Sequence, residues 1–343
     1  MAVLFLIFAA SMGVATFIEN DHGTETAKAV VYNAWWFEAI MLFFALNFFG
    51  NIFKYKLFKK EKLVVLTFHL SFFLILLGAG ITRYISFEGL MPIQEGAVGN
   101  TFLSEKNYIS VIINDGNEQK TPFQEPILLS SISKNNFEYT TDFKGKDVAV
   151  KLTNYIPNAQ EVFEENETGE EYLLVVESGG GGRHNHYIKK GTIENVHGVT
   201  VGYDASTKSV IDFISTENGL KIRSSVEGQF FRMADSFEGT IAKDSLQDFS
   251  LLAVHNLAGL QFVIPKNATK GSYKITAGDK DANSLAQLTF DVTVGNETKQ
   301  IAVNGAKYAI QPPTEFSVGN LNFRMSYGAI QMNLPFSIKL NDF

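Results

Sequence analysis

Three apolar stretches within the first 85 residues constrain this 343-residue chain more than any other feature. Met1–Ile18 carries no charge, and Ala34–Phe53 is apolar apart from Glu38, Asn47 and Asn51. Leu63–Ile81 is uncharged, with His69 its one ionisable side chain. Each run approaches the ~20 residues needed to cross ~30 Å of hydrocarbon. Inside lipid a lone segment satisfies its own backbone N–H and C=O groups only as a helix. The expected fold class is a membrane protein: three transmembrane α-helices at about 1–18, 34–53 and 63–81, followed by a mostly-β antiparallel extracytoplasmic domain. The competing readings are a buried helical hairpin in a soluble core and, for the first run, a signal peptide ending near Gly13-Val-Ala15. No basic residue precedes the first run, which favours a membrane helix and leads us to expect a short basic start upstream of Met1.

Charge sets the orientation. The loop 54–62 carries five Lys against one Glu and is expected on the cytoplasmic side. The loop Asn20–Tyr32 holds two acidic residues and one Lys and is expected outside, with Trp35 and Trp36 at the outer interface. Everything beyond residue 85 is then extracytoplasmic. The first 85 residues carry a net +2, and the remaining 258 carry 22 basic and 31 acidic residues. An outer part this acidic argues against a nucleic-acid partner, which needs a basic footprint. With no cysteine, the chain has no disulfide, thiolate metal site or cysteine nucleophile.

Residues 86–343 read as strands. In Gln287–Val294, Leu288, Phe290, Val292 and Val294 fall on one face; in Lys146–Thr153, Val148, Val150 and Leu152 do the same. Gly219–Ser224 and Leu334–Leu340 also alternate, which predicts half-buried strands with one wet face. Asn114–Asn117 and Gly295-Asn296 are hairpin signals. Asp235–Phe249 is the best candidate for a short helix, and Gly179–Gly182 reads as a flexible loop.

His69 is the sharpest candidate for chemistry. It lies seven residues past Lys62, so ~10 Å into the helix, where an ionisable side chain is costly. Three roles stay open: a hydrogen bond between helices, a haem or metal ligand, or a proton relay. Helical spacing puts Val65, Leu66, Phe72, Phe73 and Leu76 on its side. Glu19, Glu38 and Arg83 are expected together near the outer interface, either as a charge-neutralising pair or with Arg83 receiving an anionic group such as a haem propionate. Ala9/Gly13 and Gly78/Gly80 offer small faces for helix packing. His184 and His186 have strand spacing suited to a metal, but the sequence offers them no third ligand; His22, His197 and His255 look isolated. Phosphate-loop, nucleophile-elbow and zinc-protease motifs are absent.

Several stretches resemble one family. They are Ala15-Thr-Phe-Ile-Glu-Asn20, Gly23-Thr-Glu-Thr-Ala27, Tyr32-Asn-Ala-Trp-Trp-Phe-Glu38, Phe68-His-Leu70, Leu77–Tyr84 and Leu334–Phe343. On these the chain resembles the ResB (CcsB) family of system II cytochrome c biogenesis, most closely the N-terminal part of the fused CcsBA form of Bacteroidetes-type bacteria. The resemblance implies a multi-pass protein of the bacterial inner membrane with its large domain in the periplasm. It implies a complex that exports haem b and delivers it for covalent attachment to apocytochrome c. His69 falls where the family places a haem axial ligand, with Phe72, Phe73 and Arg83 as the haem's surroundings. The implied partners are a CcsA-like half or subunit, apocytochrome c and a thioredoxin-like thiol reductant, besides the lipid bilayer. The family also has a fourth helix and a tryptophan-rich synthase segment; Trp35 and Trp36 are the only tryptophans here, so the chain reads as a fragment or one partner. The alternative is a membrane-anchored periplasmic β-domain that only binds a protein or glycan.

Overall fold

A computed structural model describes residues 2–179, 182–279, 282 and 284–342. The chain forms two compact units, one of Met1–Gln160 with Thr276–Phe343 and one of Glu161–Ile275.

The first unit begins with helices Ala2–His22, Trp35–Lys54 and Leu63–Tyr84. All three are long and apolar enough to cross a membrane. The middle helix holds them together. Phe37, Ile40, Phe44 and Phe48 recur at helical spacing, so one buried stripe meets both neighbours. Phe8 packs on Phe37 and Phe44, each at 5.8 Å between ring centroids, while Phe72 lies 4.1 Å from Phe48. Large side chains on the other faces are exposed, among them Leu6 and Trp35 at 70% and 79%. Gly13, Gly78 and Gly80 do not serve as packing faces within the chain. Nothing lies within 4 Å of where a side chain would start at any of them, because the phenylalanine stripe supplies the contacts instead.

The connection after the first helix is more ordered than the loop expected from its polarity. It forms a short α turn, Thr24–Ala27, and a π turn, Lys28–Tyr32, with Thr26, Ala27 and Val31 buried. This segment docks on the β part of the same unit. Lys28 reaches Glu105 at 2.8 Å, Lys307 reaches Glu25 at 2.7 Å, and Thr26 Oγ1 meets Ser131 Oγ at 3.2 Å. The Lys28 hydrogen bond holds Glu105 below the usual carboxylate range. We expect Lys307→Met to loosen this docking by about 1 kcal/mol, seen as faster proteolysis within 24–32.

Among the described residues, the β part of this unit has an eight-stranded sheet and a three-stranded one. The alternating patterns hold in the large sheet. Ala286–Val294 pairs antiparallel with both Lys146–Ile156 and Glu297–Ala306, burying Leu288, Phe290 and Val292 completely. The small sheet joins Gly89–Leu90, Val98–Ser104 and Gln331–Lys339. Here the expected wet-and-dry alternation fails, since Phe336 and Ile338 are 57% and 43% exposed. The strand forms, but among the described residues nothing covers Phe336 and Ile338.

The second unit is inserted between Gln160 and Thr276. At its base the flanking chain is stapled: Gly278 N donates to Asn158 O at 2.9 Å, and Ala159 N to Leu285 O at 2.7 Å. Among the described residues, a seven-stranded and a five-stranded sheet share one core that includes Leu173, Val175, Ile188, Tyr203, Phe213, Ile222 and Phe262. Among the described residues, Val199–Tyr203 pairs parallel with Ile211–Thr216 and Glu297–Ala306 with Leu321–Gly328, as does the isolated Ser224–Lys243 bridge. Two sequence expectations are corrected here. Asp235–Phe249 is not a helix but contains strands Phe237–Ile241 and Gln247–Asp248. Strand Gly228–Arg232 recruits Phe237–Ile241 by antiparallel pairing, and Gly239 has no side chain to collide with the Phe230 ring, 2.3 Å from where a Cβ would sit. In the glycine run, Gly179 and Gly182 are paired strand residues rather than loop; Gly180 and Gly181 lie outside the described residues.

Candidate functional site

His69 sits half-buried on the third helix. Its Nδ1 lies 2.8 Å from the Val65 carbonyl, which can only accept, so Nδ1 carries the proton and Nε2 keeps its lone pair. Nε2 makes no hydrogen bond among the described residues. The Phe48 ring stands edge-on at 5.1 Å and Phe68 at 6.0 Å. Phe72 stacks behind Phe48, and Phe73 fills the space between the Phe48 stripe and the Ile52–Leu57–Leu66 cluster. The result is an imidazole with a fixed tautomer, a free ligating nitrogen and an aromatic wall. A backbone acceptor on the second nitrogen is the usual way a ligating histidine is oriented.

Arg83 belongs to a different place. It is fourteen residues, about 21 Å, further along the same helix. It donates to the Glu38 carboxylate and, at 2.7 Å, to the Tyr32 carbonyl. This is the charge-neutralising pair; Glu19 stays outside it and accepts from Thr24 Oγ1 at 2.8 Å.

The other histidines separate into two kinds. His255 is structural: 1% exposed, its Nδ1 donates to Ala253 O at 2.9 Å, and its ring stacks against Phe230, Phe249 and Phe262. Burial pushes its pKa down to about 4. His22 ends the first helix. His186 does find further potential ligands, which sequence reasoning missed. His197 Nε2 lies 3.1 Å from Glu177 Oε2, and His186 Nε2 lies 4.0 Å from it. His197 is therefore not isolated. The available signal was His197-Gly198, whose positive φ angles of 46° and 90° make a two-residue hairpin turn between Thr192–Val196 and Val199–Tyr203.

Fold and site together define a chain with three membrane-length helices, a half-buried histidine among them and a large two-core β portion. No family model matches it. A curated relative, Protein NrfI of Wolinella succinogenes, is 42% identical over 123 residues, covering 36% of this chain and 13% of NrfI. The match thus covers about an eighth of that relative's length.

Proposed function

We propose that this chain works in cytochrome c maturation as a ResB-like membrane part of a complex that moves haem outward and presents it to apocytochrome c. The likeness to NrfI supports the role in cytochrome c maturation. The observation that carries the haem reading is His69: its proton is held on Nδ1 by Val65 O, while Nε2 remains free beside Phe48 and Phe68. These residues fit a haem. His69 Nε2 would hold the iron, and the Phe48–Phe72 wall would keep water from the group. Haem held there would bring the vinyl groups that form thioethers with cysteines of the acceptor.

In this reading the helices span the bacterial inner membrane, with residues 54–62 cytoplasmic. The β portion is periplasmic, on the side where Lys28 and Lys307 tie the helix connection to it. Arg83 and Glu38 neutralise each other near that surface. A CcsA-like partner would supply the synthase chemistry, and a thioredoxin-like protein would keep the acceptor thiols reduced.

The test is haem occupancy of the full chain, purified in detergent with its partner. We expect a Soret band that falls at least tenfold in His69→Ala and returns with added imidazole. An unchanged band in His69→Ala overturns the ligand assignment. A folded wild-type chain that never takes up haem favours the anchored binding module.

A further inference from the structure

A second site, independent of His69, lies in the Glu161–Ile275 unit. Strands Ala159–Gly179 and Gly182–Lys189 pair antiparallel, with Glu177 opposite His184 and Val175 opposite His186. Because side chains alternate along a strand, Glu177, His184 and His186 share one face of this hairpin. The His197-Gly198 turn brings a third imidazole to the same face.

We propose that Glu177, His186 and His197 bind one divalent transition-metal ion of the zinc class. One ligand atom from each lies within 4.8 Å of the others, with His197 Nε2 3.1 Å and His186 Nε2 4.0 Å from Glu177 Oε2. Metal–ligand bonds of about 2.0–2.1 Å in a tetrahedron put ligand atoms about 3.4 Å apart, so the cluster closes with side-chain shifts of about an ångström.

Burial is the second observation. Glu177 is 3% exposed, and both its Oε2 and His186 Nε2 are buried with no hydrogen-bond partner. A carboxylate oxygen and an imidazole lone pair facing each other out of water are costly unless a cation lies between them. Gly179 leaves room for the carboxylate: a Cβ there would meet Glu177 Oε1 at 2.2 Å.

The donor set of two imidazoles, one carboxylate and no thiolate suits zinc and excludes the soft-metal class. Three protein ligands leave a fourth position for water or an outside donor. His184, whose ring lies 5.8 Å from that of His197, flanks the site without completing it.

The test is zinc binding to the full chain in detergent, carrying a tag without histidine, stripped with EDTA and titrated against a chromophoric zinc chelator. We expect one zinc per chain. Affinity should fall at least tenfold in each of His186→Ala, His197→Ala and Glu177→Gln, and change less than threefold in His184→Ala and His69→Ala. His197 lies in a hairpin turn with its side chain 52% exposed, so His197→Ala tests the site without emptying the core. Equal zinc affinity in wild type and His197→Ala, or no stoichiometric zinc in the wild type, overturns the proposal. A Soret band that depends on His186 also overturns it, by assigning these histidines to haem.

Discussion

Alanine in place of Phe290 is expected to remove about 4 kcal/mol from the stability of the Met1–Gln160, Thr276–Phe343 unit. Phe290 is fully buried. It pairs in register with Leu152 on one side and Ile301 on the other, and Phe137 meets its ring edge-on at 6.1 Å. Truncation loses the transfer energy of the ring and leaves a cavity that paired strands cannot collapse to fill. The measurement is amide hydrogen exchange of the full chain in detergent. Protection in Ala286–Val294 should fall about a thousandfold, because exchange of core amides reports the opening free energy. Protection in Ile211–Thr216 of the other unit, whose core is separate, should stay unchanged. Equal losses in both strands would show that the two cores unfold as one.

His255 is expected to make the Glu161–Ile275 unit acid-sensitive well above the range where carboxylates titrate. Its folded pKa is about 4 against an ordinary 6.5. Above pH 6.5 the ring is neutral in both states and costs nothing. As the pH falls below 6.5, the unfolded chain takes up a proton that the folded chain refuses, so stability drops. The loss approaches about 3 kcal/mol near pH 4 and levels off below it. Among the described residues no charged group relieves this burial, since the ring is enclosed by Phe230, Phe249 and Phe262. Urea midpoints for this unit, measured from pH 7 to 4, should slope downward in the wild type and much less in His255→Gln. A residual slope belongs to His186, whose burial acts in the same direction, and to Glu171 and Asp212, whose hydrogen bonds hold their carboxyl groups low. Identical slopes in the two proteins would refute the assignment.

The parts of the molecule legible in the sequence are those fixed by local periodicity. Runs nearly free of charge reach membrane length whatever surrounds them, so the three helices could be read directly. Val148, Val150 and Leu152 alternate because one sheet face is dry, and they are buried as the pattern required. Long-range pairing is what the sequence hides. Phe237, Ile241 and Phe249 fit a helical stripe equally well, and the partner strand Gly228–Arg232 decides the matter. The division of the β portion into two cores leaves no break in composition at residues 160 and 276.

The same contrast applies to the sites. His69 stands out because an imidazole in an uncharged run has nothing near it in sequence to explain it. Arg83 and Glu38 pair through topology, as their helix ends implied. Glu177, on the seven-stranded sheet, and His197, in a turn of the five-stranded one, are twenty residues apart, and only the packing of the two sheets on one core brings them within 3.1 Å.

The staple at the base of the inserted unit, Gly278 to Asn158, bears on how such a chain changes over time. The entropy of closing the chain between two such fixed ends grows only slowly with the length between them, about 0.6 kcal/mol for each doubling. Residues 161–275 are therefore a replaceable cassette. A lineage can lengthen, trim or exchange it, histidines included, while the helices keep their packing and their own histidine. The two sites proposed here are thus free to evolve at different rates within one polypeptide.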